Sequence, residues 1–392
     1  MSLILDMTPT AINRTAVFHI VMDTARAWRD LGCSYRYGDK IQSTFLETTE
    51  ALNATRPEIL NLVLGDGGLI REAKRPFGVR RPRTANSRVL FFDPLYVLVD
   101  EVRANDIVLV LDVSPLTNPE WHDERVCELY RLAYNRLAVS GAKILSISRH
   151  TTLSLWANFG IDPRDVTEIP LYTRNGIKPT LNRSIDVEKR FLFVGSLELR
   201  KNIIGLMLAF ERSKLAAQGY ELSIVGGKGR GAEEITSVAT GIKGVRLHGF
   251  LSDEELQKLY RTSMAFVYPS YLEGFGVPLL EAMAWGLPIL TATTGATAEL
   301  AADTALLVDP HDIAAISDGF LRLTEMTAPD RQAQQAASRS RAAEFTFDRY
   351  LSTMEAAVSG TAINAAQEER WDGSVAASSG RHKWLSSYGT AT

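Results

Sequence analysis

The chain has little cysteine, no long apolar run and almost no net charge. Only Cys33 and Cys127 occur among 392 residues, which argues against a disulfide scaffold, and neither stands in a metal-ligand spacing. No stretch approaches the roughly 18 apolar residues of a membrane span, and Ser2–Asp6 is too short an apolar run for a signal peptide. A net charge of -3 gives no overall attraction to nucleic acid. Together these absences predict a cytoplasmic location.

The composition and the segment pattern predict an α/β protein. With 45% apolar residues, the chain is long enough for two domains with separate cores. Strand-like and helix-like segments alternate, which is typical of doubly wound sheets. In the first half we expect strands at Leu3–Leu5, Leu60–Leu64, Val89–Phe92, Ile107–Leu111 and Lys143–Ile147. Helices are expected near Ala16–Asp30, Arg125–Ala138 and Thr151–Phe159.

Polar composition suggests where the domains end. We expect an N-terminal domain over residues 1–180, a C-terminal domain over 188–358 and a polar tail over 359–392. The linker is placed at Asn175–Lys189, which is polar and contains a proline. Past residue 310, helical patterns cover Ile313–Thr324, Arg331–Glu344 and Phe347–Val358. The tail is predicted to be loosely ordered, with a segment that returns to the first domain.

The segment Glu273–Glu281, with the sequence EGFGVPLLE, is the most informative one. A short apolar run precedes it, and Pro278 suits a first helical turn because its missing N–H costs nothing there. The turn of Gly274, Phe275, Gly276 and Val277 therefore caps a helix. Free N–H groups at the turn, with the positive end of the helix dipole, predict a seat for a diphosphate.

The two acids of this segment complete a candidate site for a sugar diphosphate. Glu273 stands before the helix, where a carboxylate can accept hydrogen bonds from sugar hydroxyls. Glu281 lies one turn inside and could take the hydroxyls of a ribose. The alternative is a solvated turn residue and an exposed helix residue. The next apolar run, Ile289–Ala292, completes a βαβ unit with both acids at the carboxyl end of a strand, where open α/β sheets bind ligands.

Arg200 and Lys201 form a second candidate site. They follow the apolar strand Arg190–Val194 and Gly195, and they precede an apolar-periodic helix. Cations at a helix start oppose the helix dipole, which favours an anionic ligand such as a leaving diphosphate, although a solvated pair is the ordinary alternative.

Two more strand exits follow in the second half. The glycine run Gly226–Gly231 resembles a dinucleotide-binding loop only weakly, because the third glycine is misplaced. Backbone groups at Gly249 and Phe250 are predicted to meet the edge of a nucleotide base. Ser252 and Glu255 have the spacing of a capping box.

The ordered set of these motifs resembles the donor-binding domain of retaining glycosyltransferases of family 4, enzymes of the GT-B fold. The similar segments are Val194–Ser196, Arg200–Asn202, Ile224–Gly226, Leu247–Phe250, Tyr268–Ser270, Glu273–Glu281, Ala298–Leu300 and Leu307–Pro310. They cover about a third of the chain. The resemblance implies two Rossmann-like doubly wound domains that face each other across a cleft.

The resemblance also implies roles for the matching residues. The first glutamate of the pair would contact the donor sugar, the second the nucleotide ribose, and the Arg-Lys pair the diphosphate. Glu273, Arg200 and Lys201 are therefore predicted to act in catalysis, and Glu281 to bind the nucleotide.

The first half departs from the family pattern. Thr8–Arg14 stands where many relatives have a glycine-glycine loop. Arg14 is a candidate contact for a phosphate or an acceptor, and the alternative is an ordinary surface arginine. Where relatives carry a His-Asp pair, this chain has leucine followed by Asp112, which we place at the active site. His122, ten residues later, is a candidate acceptor contact or a packing residue. Ser148 and Thr151 match a Ser-x-x-Thr motif of the family, and the alternative is that Ser148 only caps a helix.

Basic residues are concentrated in Arg71–Arg83. This segment, which includes Arg80 and Arg81, is predicted to hold a lipid-linked acceptor or the anionic inner face of a membrane, and a solvated loop is the alternative.

These observations predict a retaining hexosyltransferase of surface polysaccharide synthesis without a cofactor or metal. The preferred donor is GDP-mannose, by general similarity to bacterial mannosyltransferases, with a UDP-hexose or dTDP-rhamnose as alternatives. The expected partners are the nucleotide sugar and a glycan acceptor, not nucleic acid. Two other classes stay open, a sugar-nucleotide epimerase of the same architecture and a catalytically silent nucleotide-sugar-binding subunit.

Overall fold

The computed structural model describes residues 2–12, 15–65, 69, 83–84, 86–174 and 187–360. The chain divides into two compact units, residues 1–351 and residues 352–392. Both sheets described below lie in the first unit. No helix among the described residues is both long and apolar enough to cross a membrane.

The first sheet has seven strands in the order β3-β2-β1-β4-β5-β6-β7. All neighbours pair in parallel except β2 and β3, which are antiparallel. Its strands are β1 Ser2–Asp6, β2 Ser34–Tyr37, β3 Lys40–Gln42, β4 Ser87–Phe91, β5 Ile107–Val110, β6 Lys143–Ser146 and β7 Val166–Glu168. The helices of this part include α1 Thr8–Ile12, α2 Ala16–Ala27, α3 Thr49–Leu64, α4 Ser114–Thr117, α5 Glu124–Ser140 and α6 Arg149–Phe159.

The second sheet has six parallel strands in the order β10-β9-β8-β11-β12-β13. Its strands are β8 Glu188–Val194, β9 Glu221–Val225, β10 Val245–Gly249, β11 Ser263–Tyr268, β12 Ile289–Ala292 and β13 Leu306–Val308. The helices that follow are α7 Ile203–Ser213, α8 Ala232–Gly241, α9 Asp253–Thr262, α10 Val277–Ala284, α11 Gly295–Ala301, α12 Ile313–Glu325, α13 Ala328–Ala342 and α14 Phe347–Ser359.

Burial and caps explain why these segments form these elements. Every residue of β11 and β12 is buried, as expected for central parallel strands that helices cover on both faces. Ser252 begins α9 with the predicted capping box, in which its hydroxyl and Glu255 satisfy each other's backbone N–H groups. Ser148 begins α6, and its hydroxyl accepts from the N–H of Thr151 at 3.1 Å, so the helix-cap reading of that motif is confirmed.

The strand orders fix where a ligand can bind. In the second sheet the chain order reverses between β8 and β11, and in the first sheet it reverses between β1 and β4. A crevice opens at such a switch point, outside the carboxyl ends of the strands. The segments after β8 and β11 contain Arg200, Lys201 and Glu273, so the predicted donor residues stand at this point.

Most predicted elements are confirmed, and one is wrong. Leu60–Leu64 is not a strand but the last turn of α3, which begins after the cap residue Thr48 and contains Pro57. A short apolar run does not distinguish a buried strand from a buried helix end. The three helices predicted past residue 310 are present.

The domain boundaries stay a prediction. The first sheet ends at Glu168 and the second begins at Glu188, but most of the proposed linker lies outside the described residues. Before residue 352 the chain already returns to helix α2 of the first half, since the hydroxyl of Tyr350 lies 3.0 Å from Thr24 Oγ1. The predicted tail over 359–392 lies outside the described residues beyond Gly360.

Candidate functional site

A cavity of about 630 Å³ lies between the carboxyl ends of the two sheets. One wall belongs to the first sheet and includes residues that follow β4, β5 and β6, which are Asp93, Asp112 and Ile147. The other wall belongs to the second sheet and includes Gly195, Arg200, Lys201, Gly226, Lys228, Phe250, Glu273, Gly274, Phe275, Gly276 and Val277. Most of the predicted donor-binding residues therefore share one cavity.

Glu273 is the centre of a buried polar network in this cavity. Its Oε1 accepts from Lys201 Nζ at 2.8 Å, from the Tyr268 hydroxyl at 2.8 Å and from Ser270 Oγ at 3.1 Å. Its Oε2 accepts from Arg200 Nη1 at 3.1 Å. The carboxylate is only 8% exposed, so the solvated-turn alternative is wrong.

The charges in this network decide how its members ionise. Burial alone would raise the pKa of Glu273, but the charges of Lys201 and Arg200 and the hydrogen bonds of Lys201 and Tyr268 outweigh it and lower the pKa to about 2. Burial lowers the pKa of the Lys201 ammonium, against the attraction of Glu273. A permanent anion therefore holds two cations at the cavity wall.

Arg200 has a second acidic partner that the sequence analysis missed. Its Nε donates to Glu198 at 2.6 Å, and its Nη1 also donates to the carbonyl oxygen of Leu272 at 3.2 Å. Burial opposes the charge of Arg200, but Glu273 and Glu198 outweigh burial and raise its pKa. Ser196 donates to the other oxygen of Glu198. The guanidinium is thus held in one orientation from two sides.

Glu281 is almost completely buried, at 1% exposure, so its carboxylate is not the exposed helix residue of the alternative reading. Its Oε2 accepts from the hydroxyl of Tyr260 at 3.0 Å. Its Oε1 accepts from Nε of Arg174, a residue at the end of the first half that the sequence analysis did not single out. Arg174 lines the cavity, whereas Glu281 lies behind it. A ribose that reaches Glu281 must therefore share it with Arg174 or displace Arg174.

The glycine turn before α10 has the backbone geometry that the sequence predicts. Gly276 has a φ of 100°, in the left-handed region that side chains disfavour, and it directly precedes the helix, which has Pro278 in its first turn. The apolar side chain of Phe275 is buried against Phe345, with ring centroids 5.7 Å apart. Phe250, by contrast, is 88% exposed at the cavity, which leaves its ring face free for a base.

The same turn touches the first sheet. A Cβ on Gly274 would lie 2.1 Å from the carbonyl oxygen of Leu111, so only glycine fits at this approach. The hydroxyl of Ser148 donates to the carbonyl oxygen of Gly274 at 2.7 Å. Nearby, the carboxylate of Glu299 accepts from the N–H groups of Arg149 and His150, both at 3.0 Å, at the start of α6.

Asp112 and His122 differ in their relation to the cavity. Asp112 lines it, and its Oδ1 accepts from the backbone N–H of Ser114 at 2.9 Å and from the Ser114 hydroxyl at 2.7 Å. His122 is half-buried outside the lining residues, and its buried Nε2 has no hydrogen-bond partner in the described part of the chain. Burial lowers the pKa of His122. Its role as an acceptor contact stays a prediction.

The basic residues predicted to meet an acceptor divide into two groups. Arg14, Arg80 and Arg81 lie outside the described residues. The side chain of Arg83 is completely buried and donates to Asp106 at 2.7 Å, with Asp100 at 3.4 Å. For Arg83 the prediction of a membrane or acceptor contact is therefore wrong, and so is the solvated alternative. Its ion pairs fix the structure around β4 and β5.

Comparisons with known proteins agree with this architecture. Residues 182–341 match the family model described as Glycosyl transferases group 1. One relative is the O-antigen chain mannosyltransferase B of Escherichia coli, 30% identical over 226 residues, which are 54% of this chain and 59% of that protein. The chain thus spans less than two thirds of the length of that relative.

Solved structures of similar fold cover nearly the whole chain. A sucrose-phosphate synthase from Thermosynechococcus elongatus has a TM-score of 0.65 at 16% identity, over 91% of this chain and 98% of that one. Anabaena HepE, solved in complex with UDP and glucose, has a TM-score of 0.66 at 15% identity, over 92% of this chain and 100% of that one. The predicted GT-B fold is confirmed.

Proposed function

We propose that this chain, which carries a group 1 glycosyl transferase domain over residues 182–341, is a retaining glycosyltransferase that moves mannose from GDP-mannose to a hydroxyl of a glycan. The observation that carries the proposal is the network of Glu273, Arg200 and Lys201 on the wall of the cavity. It places two cations beside one carboxylate at the switch point of a parallel sheet, where a sugar diphosphate needs both.

The network suits a reaction in which a diphosphate leaves. As the bond from the sugar to phosphate breaks, negative charge grows on the departing oxygen. Arg200 and Lys201, whose side chains are largely buried, oppose that charge, and such preorganised contacts are each worth roughly 3 kcal/mol. Glu273 keeps both cations in position before the donor arrives, so little reorganisation is needed.

Glu273 also retains capacity for the sugar. A carboxylate has about four lone-pair positions, and Oε1 of Glu273 already accepts three hydrogen bonds. Its Oε2 accepts only that of Arg200 among the described contacts. One donor-sugar hydroxyl can therefore bind at Oε2 without displacing either cation.

Metal independence and retention belong to the same proposal. Two cations and the N-terminus of α10 can neutralise the departing diphosphate, which is the role that a divalent ion would otherwise have. In the retaining family that the chain resembles, the acceptor attacks from the face that the diphosphate leaves, and the diphosphate takes the proton of the acceptor hydroxyl.

Mannose and a surface polysaccharide are supported by relatives that are named as O-antigen mannosyltransferases. The other basic residues of the segment 71–83, apart from the buried Arg83, support contact with an anionic lipid or membrane surface. The protein would act in the cytoplasm at the inner face of the membrane, on a lipid-linked glycan.

The experiment begins with thermal shifts in the presence of GDP, UDP and dTDP and of their sugar forms. The donor that stabilises the protein most is then assayed for hydrolysis and for transfer to methyl α-mannoside, methyl α-glucoside and methyl α-galactoside, with and without EDTA. We expect GDP-mannose to bind best and transfer to survive EDTA. The anomeric proton of the product, seen by NMR, reports retention.

The outcomes separate the competing classes. Interconversion of the sugar nucleotide without any acceptor would indicate an epimerase. Binding without hydrolysis or transfer would indicate a silent subunit. Loss of activity in EDTA that Mg²⁺ restores would contradict metal independence.

A further inference from the structure

A second carboxyl group stands beside Asp112 on the wall that belongs to the first sheet. Asp93 follows β4 and Asp112 follows β5, and these strands are parallel neighbours that pair Phe91 with Val108. Their carboxyl ends therefore lie at the same sheet edge, and both aspartates line the cavity. Arg200 and Lys201 line the same cavity from the second sheet.

The Asp93 side chain is held in a fixed orientation. Its Oδ1 accepts from the N–H of Leu95 at 2.8 Å, as the cap of the short 3-10 helix Pro94–Leu98. The hydroxyl of Tyr130 in α5 lies 3.0 Å from Oδ1 and 2.9 Å from Oδ2. Tyr130 lines the cavity as well. A carboxylate aligned in this way presents its remaining lone pairs in defined directions.

Asp93 differs from the fully buried carboxylates of this half, because it is only half-buried where it lines the cavity. Asp6 and Asp100 pair with Arg36 at 3.3 and 3.2 Å, and Asp106 pairs with Arg83 at 2.7 Å. Within the described residues, no Lys or Arg is recorded as a partner of Asp93, whose neighbours are a phenol and a backbone N–H. A half-buried carboxyl group that lines the cavity and has no cationic partner among the described residues is available to hydrogen-bond a ligand.

The groups around Asp93 make its charge depend on pH near neutrality. Burial and, to a smaller extent, the negative charges of Asp112 and Asp6 raise the pKa of Asp93, hydrogen bonds from Leu95 and Tyr130 lower it, and the net pKa is about 7. The phenols that face it, Tyr96, Tyr130 and Tyr134, have pKa values raised by burial and stay neutral. The carboxylate is therefore the form above about pH 7, and the acid the form below.

We propose that Asp93, oriented by Tyr130, is an acceptor subsite in which its carboxylate accepts a hydrogen bond from a hydroxyl of the sugar that receives the transferred hexose. This inference rests on the proposed function. The reasoning is electrostatic. The wall with Arg200 and Lys201 suits the diphosphate, whereas two carboxyl groups would repel it, so the ligand at Asp93 is neutral and rich in hydroxyl donors. A sugar ring is such a ligand.

The test compares Asp93→Asn and Tyr130→Phe with the wild type, and Asp303→Asn on an exposed turn is the matched control. The acceptor probe is methyl α-mannoside at saturating donor. Asp93→Asn is expected to raise the KM of the acceptor by at least tenfold, because a charge-assisted hydrogen bond is lost. Calorimetry with GDP checks that each variant is folded.

The pH profile separates recognition from a structural role. In the wild type, kcat/KM for the acceptor should rise with pH through about 7, as Asp93 ionises. Asp93→Asn should lose this rise. Tyr130→Phe should move it to higher pH, since the hydrogen bond from Tyr130 lowers the pKa of Asp93. Asp303→Asn should match the wild type at every pH.

Three results would overturn the subsite. The first is an acceptor KM that is unchanged in an Asp93→Asn variant that still binds GDP. The second is a rise of kcat/KM with pH that Tyr130→Phe leaves at the same pH. The third is a wild type that hydrolyses the donor but transfers sugar to none of the three methyl glycosides. Should Asp93→Asn not fold, the shift in Tyr130→Phe decides. Failure of the proposed function is a different result, in which the wild type neither binds nor hydrolyses any nucleotide sugar.

Discussion

Replacing Glu273 by glutamine should test the buried network directly. The substitution keeps the shape of the side chain but removes the charge that Arg200 and Lys201 share. Those cations would stay buried without their anion, and breaking a buried ion pair from one side costs about 3 to 5 kcal/mol. We therefore expect a large loss of stability from a change of one atom.

The lowered pKa of Glu273 leads to a loss of stability of similar size. The ordinary pKa of 4.5 for Glu273 is lowered to about 2 in the folded protein, which corresponds to about 3 kcal/mol of stabilisation at neutral pH. Because the folded pKa is lowered, this stability is present above pH 4.5 and is lost as the pH falls through about 2. The Glu273→Gln variant lacks this contribution to stability at every pH, because glutamine does not ionise.

The assay is thermal and urea unfolding at pH 7 and at pH 3, with Glu325→Gln on an exposed helix end as the control. For a domain of 150 to 250 residues, 1 kcal/mol shifts Tm by about 2 to 4 °C, so Glu273→Gln should lower Tm by about 6 to 12 °C at pH 7. The difference from the wild type should shrink at pH 3. A difference below about 1 °C, or one equal at both pH values, would refute the reasoning.

Three further changes test other parts of the site. Arg174→Ala should tighten GDP binding by about tenfold in calorimetry, because Glu281 no longer loses an ion pair when a ribose binds. Weaker binding would contradict a competition of Arg174 and the ribose for Glu281. Arg83→Ala should lower the free energy of unfolding by about 3 kcal/mol in urea, since Asp106 stays buried without its cationic partner. An unchanged urea midpoint would show that this ion pair does not stabilise the fold. Arg200→Ala should lower transfer at saturating donor by about 10²-fold, or roughly 3 kcal/mol, and near-normal turnover would reject its role at the leaving group.

The centre of the second sheet could be predicted from the sequence because β11 and β12, which are buried throughout, are short and almost entirely apolar runs. Central parallel strands are covered on both faces, so their sequences are apolar throughout and stand out from the helices. Glu273, Arg200 and Lys201 follow such strands directly. Their shared location is a consequence of strand order, which places β8 next to β11.

The first half was harder to predict, for a local reason. Helix α3 contains Pro57, which conceals the length of the helix, and its last turn is an apolar run that resembles a strand. Periodicity alone cannot separate the two over five residues. The cap at Thr48 was the available signal for the helix, since its hydroxyl accepts from the N–H of Ala51.

Two of the unpredicted site residues, Arg174 and Tyr130, are distant from their partners along the chain. Arg174 contacts Glu281 across 107 residues, and Tyr130 contacts Asp93 across 37. Motif spacing describes neighbours within one loop or helix and does not describe such pairs. Asp93 had one usable signal, because it is an acid directly after a buried strand, in the same kind of position as Asp112.

Gly274 lies where the two walls of the cavity approach each other most tightly through the main chain. Its carbonyl oxygen is bound by Ser148, and its α carbon leaves no room for a methyl group beside Leu111. Glu273 precedes Gly274 and Asp112 follows Leu111, so this main-chain contact limits how far apart the two acids can lie. Under the proposed function, the main chain therefore sets the spacing between the donor and acceptor sugars, whereas the surrounding side chains select which sugars bind.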